Sequence, residues 1–291
     1  MGTEQDLAER RSIAQPTIKT ILFHVIGDEL TEQRIETALA LARACSAHLS
    51  CLHVTPIEAY SVCDSLGSAF VMTNIVEALQ EGDTELQAKT EKHLSGEDVS
   101  WDYEQWTGNV ASAIVGRAAL ADLLITARSS SVGSALGFLG DLLTRSRTPL
   151  FVAGSDGRVF DPVGKALIAW NGSFEAANAV RAALGMMRLA SEVRVLQISD
   201  EKPSSETFPA TRLLEYLSRQ GIHAELISEP PAGRDPGHDQ LSGMILAEAN
   251  REGAAYIVMG GYSHSRAGEF VFGGVTRTLL NECALPLVIA R

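Results

Sequence analysis

Basic residues are under-represented in this chain: 24 lysines and arginines stand against 36 aspartates and glutamates, a formal net charge of −12. That balance argues against nucleic acid or an anionic membrane as the main partner, although a few local cations could still hold a phosphate. Cysteine is scarce too. Cys45, Cys51, Cys63 and Cys283 form no C-x-x-C pair and show no metal-ligand spacing, so no metal site is expected. Cys51 lies inside an apolar run and reads as a buried, inert thiol. No apolar run approaches the length of a membrane span, and the stretch Met1 to Pro16 is polar and charged, unlike a secretory signal. Together with reduced cysteines these absences give a cytoplasmic expectation. The chain also lacks a G-x-S-x-G elbow and the G-x-x-x-x-G-K-[ST] phosphate loop. With no general base placed to activate water, no catalytic residue is assigned; the expectation is a non-enzyme, at most a weak ATPase.

What is present is a soluble globular composition, 45% hydrophobic and 21% charged over 291 residues, enough for two domains of ordinary size. The chain is written twice. A buried strand Ile18 to Ile26, a turn at Gly27-Asp28, a helix Thr31 to Ala44 and a strand Leu49 to Val54 open the first half. The strand Ala166 to Trp170, the turn Asn171-Gly172-Ser173, a helix Phe174 to Leu189 and the strand Val193 to Ile198 repeat that order. Asp122 to Thr126 then matches Ala255 to Met259, and Thr148 to Ala153 matches Leu285 to Ala290. Such order, twice over, predicts two β-α-β units with parallel sheets covered by helices. The polar segment Gly154 to Val163 reads as the linker, dividing the chain into residues 1–158 and 159–291. Ile57 to Gly96 is insertion-like and helical in pattern over Phe70 to Leu79 and Leu86 to Leu94, where the second half has a looser connection, Glu201 to Ala210.

The densest signal lies near the end. The apolar run Ala255 to Met259 meets Gly260-Gly261, crosses a polar loop, and re-enters a helix-like segment at Gly273-Gly274. A buried parallel strand feeding such a loop and a helix N-terminus is how α/β proteins hold phosphate. Turn glycines packing a loop on the sheet would read the same way.

With these elements in order, the chain resembles a tandem-domain member of the universal stress protein family, from about Ile18 to Arg291. The resemblance rests on Ala169 to Ser173, the loop from Met259-Gly260 to Thr276, and the closing strand Leu285 to Ala290. It implies an α/β fold of the adenine nucleotide alpha hydrolase-like type: two tandem doubly wound domains, each a mainly parallel five-stranded sheet with helices on both faces. It further implies that Leu150 to Val152 and Leu287 to Ile289 pair antiparallel within the chain, hiding two apolar edges. Association of two chains as a homodimer is compatible with it.

Nucleotide-binding members of that family carry G-x2-G-x9-G-[S/T] after the fourth strand. In the second half those positions are Gly260, Ser263, Gly273 and Gly274, with Thr276 offering a nearby hydroxyl. Where the family usually places Asp, this chain has Asn171. The resemblance therefore assigns ATP or a related adenine nucleotide to the second half, contacted by Asn171, Ile198, Gly260, Ser263, Arg266, Gly273, Gly274 and Val275. Arg266 would neutralise phosphate and Ile198 and Val275 would flank adenine. His264 and Arg277 read as solvated, and Trp170 as a packing residue. The first half is degenerate. Asp122 to Pro149 spans 27 positions where Ala255 to Pro286 spans 31, so the loop positions fall on Ala127, Ser130, Gly140 and Asp141, or end on Leu136 and Gly137. Ile26 stands where the Asp would be. His24 and His53 lie on strands expected to be neighbours, as packing residues. The implied function is a regulatory stress-response protein that binds nucleotide. The alternative is a stress-linked scaffold that binds none and acts through protein partners.

Overall fold

The computed structural model describes residues 18–56, 69–128, 135–198, 208–229, 237–261 and 272–291. The strands are β1 (Thr20–Val25), β2 (His48–Pro56), β3 (Trp101–Gly108), β4 (Leu123–Thr126), β5 (Leu150–Val152), β6 (Lys165–Trp170), β7 (Val193–Ile198), β8 (Ala224–Glu229), β9 (Ala254–Gly260) and β10 (Leu287–Ala290). They form one sheet in the order β3-β2-β1-β4-β5-β10-β9-β6-β7-β8. Each half runs third, second, first, fourth, fifth, and every neighbouring pair within a half is parallel. The halves meet at the one antiparallel pair, Leu287 with Val152, Val288 with Phe151 and Ile289 with Leu150. This is the pairing expected from the two apolar closing strands, and it removes both from solvent.

Nine helices are described: α1 (Thr31–Cys45), α2 (Ala69–Leu94), α3 (Val110–Ala118), α4 (Ala135–Arg145), α5 (Phe174–Ala182), α6 (Leu184–Met187), α7 (Ala210–Arg219), α8 (His238–Glu252) and α9 (Gly274–Glu282). Strand side chains alternate between two cores because successive residues point to opposite faces. Phe23, Ile125, Phe151, Ile168, Val258 and Val288 pack on one face with α1, α5, α6 and α7. Leu22, Leu124, Leu150, Leu167, Ile257 and Leu287 pack on the other with α3, α4, α8 and α9. Each core runs through both halves.

Three details differ from the sequence reading. The helix expected over Phe174 to Leu189 divides at Ala183, whose ψ of 0° departs from the helical value although its N–H still donates to the Ala179 carbonyl at 2.9 Å. The two helical patterns of the insertion fuse into the 26-residue α2, passing through Gly82 without a break. The linker is more than a polar tether. Phe160 is buried, lies edge-on to Phe151 of the first half at 4.9 Å, and packs on Tyr256 of the second half at 5.5 Å. The half-buried Arg128 guanidinium reaches the Leu285 carbonyl at 3.1 Å, a second tie across the seam. The thiols of Cys45 and Cys51 are buried, and desolvation pushes them up to about 11 and about 12. They are inert at neutral pH, as the apolar run around Cys51 suggests. Cys63 lies outside the described residues.

Candidate functional site

At the carboxyl ends of β6, β7 and β9 the structure holds a cavity of about 300 Å³. Its floor is apolar, made by Leu196, Ile198, Leu241, Ile245, Met259 and Val275. Its rim is polar and is built where three helices begin: Ser173 caps α5, His238 opens α8, and Gly273 caps α9. Peptide dipoles within each helix place partial positive charge at that end, so three such ends facing one space favour an anion. A flat apolar body with an anionic tail matches this division of the walls.

Asn171, Ile198, Gly260, Gly273, Gly274 and Val275, far apart in sequence, all line this cavity. Ser263, His264 and Arg266 lie outside the described residues. Arg277 is exposed on α9 and is not part of the wall. Trp170 is buried, and its indole N–H donates to the Phe208 carbonyl at 3.1 Å, so it is a packing residue that also forms wall.

Local geometry gives each polar residue a definite state. The Asn171 Oδ1 accepts the Ser173 N–H at 3.1 Å, and the Ser173 Oγ accepts the Ala176 N–H at 3.1 Å. The carbonyl oxygen of Asn171 is thus committed to the turn that starts α5, and its Nδ2 is the group free to address a ligand. Replacing Ser173 by alanine removes that cap and should cost about 1 kcal/mol, read as a shift in denaturation midpoint. Thr276 lines the cavity and is buried, with its hydroxyl 3.5 Å from the Gly260 carbonyl. Gly260 has a packing reason to be glycine. A Cβ there would lie 2.7 Å from the backbone of both Glu175 and Ala176, so only hydrogen lets α5 sit on β9. Sequence reasoning missed His238, Leu241 and Ile245, which reach the cavity from α8. Apolar residues spaced four apart on a helix were the available signal for the last two.

Among the described residues the first half offers no matching cradle, residues 129–134 of its loop lying outside them. Helix α4 ends at Arg145, four positions before Pro149, and α9 ends at Glu282, four before Pro286. That alignment selects the register in which Leu136 and Gly137 replace Gly273 and Gly274. Gly140 and Asp141 fall within α4, more than a turn from its start. Ile26 and Ala127 are buried. The neighbouring histidines are structural. Nδ1 of His24 lies 3.2 Å from the Thr126 hydroxyl, and burial, with the charges of His53 and Arg34 adding to it, pulls its pKa down to about 3. Nδ1 of His53 faces the Val25 carbonyl at 3.1 Å, and Nε2 meets Asp83 of α2 at 2.9 Å. This carboxylate comes from α2 and not from a neighbouring strand. No group of three or more metal-ligating side chains occurs among the described residues.

Residues 163–291 match the family model described as the universal stress protein family. No curated protein matches the chain by sequence. Among solved structures, a universal stress protein from Archaeoglobus fulgidus DSM 4304 superposes with a TM-score of 0.70 at 15% identity, covering 94% of this chain and 96% of its own. A functionally unknown protein from Pseudomonas aeruginosa PAO1 superposes at 0.57, also at 15% identity, covering 95% and 93%. At such identity these likenesses speak for the fold, which both share with this chain over nearly its whole length.

Proposed function

We propose, from the premise that residues 163–291 are a universal stress protein domain in a chain with that fold throughout, that this protein binds one adenine nucleotide per chain, in its second half. The observation that carries the reading is the convergence of Asn171, Ile198, Gly260, Gly273, Gly274 and Val275 on one cavity rimmed by three helix N-termini. Ile198 and Val275 would hold the base on the apolar floor, and Asn171 Nδ2 would donate to the sugar. The backbone N–H groups at the start of α9 would take the phosphates. The nucleotide supplies occupancy rather than bond-making. The role is regulatory, in the stress response, and the chain is a cytoplasmic non-enzyme. Occupancy can regulate only if two states of the protein bind nucleotide with different affinity.

Denaturing freshly purified protein and analysing the released small molecules by mass spectrometry, beside a calorimetric ATP titration, tests this directly. About one adenine nucleotide per chain is expected. No released nucleotide and no binding heat at millimolar ATP would favour the scaffold that acts through protein partners. Gly273→Val gives a sharper test. Its φ of −56° and ψ of 150° suit valine, so the fold should hold while the branched side chain fills the phosphate path. ATP affinity should fall at least about 100-fold, roughly 2.7 kcal/mol. Affinity equal to the parent's would remove Gly273 from the site.

A further inference from the structure

Gly274 breaks the family's Ser/Thr pattern, and the structure contains the reason. A Cβ built on Gly274 would lie 2.2 Å from Cγ of His238 and 2.3 Å from its Cδ2. No real Cβ tolerates such an approach, so the imidazole occupies the space a serine or threonine side chain would enter. His238 is held there by the way α8 meets α9. The Ser242 hydroxyl, fully buried, donates to the His238 carbonyl at 2.8 Å and lies 3.5 Å from the Val275 carbonyl. One residue on from His238, Asp239 accepts from the Thr278 hydroxyl at 3.1 Å. The ring itself is exposed toward the cavity mouth and forms part of its wall.

We infer that His238 and Gly274 are a reciprocal replacement: the imidazole supplies, from α8, the phosphate-directed hydrogen-bond donor that residue 274 no longer carries. The inference rests on the nucleotide reading above and deepens it by naming a specificity residue. Loss of the hydroxyl at 274 is then no decay of the cradle. Glycine at 274 is what allows His238 to stand over the first turn of α9. An imidazole carries an N–H in either tautomer and can donate to a phosphate oxygen, whereas a serine or threonine at 274 would place its Cβ 2.2–2.6 Å from the His238 side chain.

Five proteins test it: parent, His238→Ala, His238→Gly, Gly274→Ser and the double variant His238→Gly/Gly274→Ser, each titrated with ATP by calorimetry and each melted without ligand. His238→Ala should bind ATP about tenfold more weakly than the parent with its melting midpoint little changed. Gly274→Ser alone should melt several degrees lower and bind weakly, because serine and imidazole compete for one space. The double variant should melt as His238→Gly does and recover most of the parent's affinity, because glycine at 238 also removes the His238 Cβ that would lie 2.6 Å from a Cβ at 274. His238→Ala binding ATP as well as or better than the parent overturns the donor role. A double variant that melts as low as Gly274→Ser overturns the steric exchange. If the parent itself gives no binding heat at millimolar ATP, the nucleotide reading and the donor role fail together, while the ligand-free melts still decide the exchange.

Discussion

Replacing Phe160 by alanine should cost the fold about 3–5 kcal/mol, although the residue lies in a segment that looks like a connecting tether. Its ring is almost fully buried and stands between Phe151 and Tyr256, edge-on to both. Alanine forfeits the buried apolar surface, both ring contacts, and the packing on each side of the seam. Because one ring belongs to each half, the loss should fall on their union as well as on either core. Denaturant unfolding checks this. The parent should unfold with the halves coupled, and Phe160→Ala should move the midpoint down markedly or separate the transition into two steps. A shift below about 1 kcal/mol would mean that the surrounding side chains close the gap and that Phe151 and Tyr256 hold the seam without it.

Acidification should produce an effect of similar size through His24. In the fold its pKa is lowered to about 3, while an unfolded chain protonates the same ring near 6.5. Above pH 6.5 the ring is neutral in both states and folding is not penalised. As pH falls from 6.5 toward 3 the unfolded chain binds a proton that the fold refuses, so stability is lost across that window. Integrated over the window, the loss is roughly 4 kcal/mol. His24→Phe cannot bind the proton and should lose this part of the pH dependence, whatever its stability at neutral pH. Denaturation midpoints of parent and variant from pH 7 to 4 give the comparison. Parallel curves would show that His24 is reached by water or protonated in place.

Much of this was legible in the sequence for a physical reason. Strands β1, β4, β6 and β9 are covered on both faces, so they read as near-continuous apolar runs, and their repetition in order gives the topology. The edge strands β3 and β8 were not legible. Trp101–Gly108 is half solvated along its length, and Ala224–Glu229 alternates weakly, so neither carries a strong hydrophobic signal. At the site, Asn171 and the glycines could be placed because they sit at fixed offsets from strand ends. His238 could not. It reaches the cavity from the start of α8, and only the contact with Gly274 shows that two residues 36 positions apart share one space. The Asp83 partner of His53 was hidden likewise, since α2 runs far longer than α7, the helix in the same place of the other half.

The single antiparallel seam between β5 and β10 has a consequence for how such a protein can change. In an assembly of two identical subunits every substitution is made twice, so a crevice cannot be given up on one side and kept on the other. Here the two sides are spelled separately in one chain. Leu136 could arise where Gly273 stands opposite, and α2 could lay Asp83 against His53, with no matching change across the seam. The first half can thereby lose the loop glycines while still supplying half of the sheet on which both halves stand.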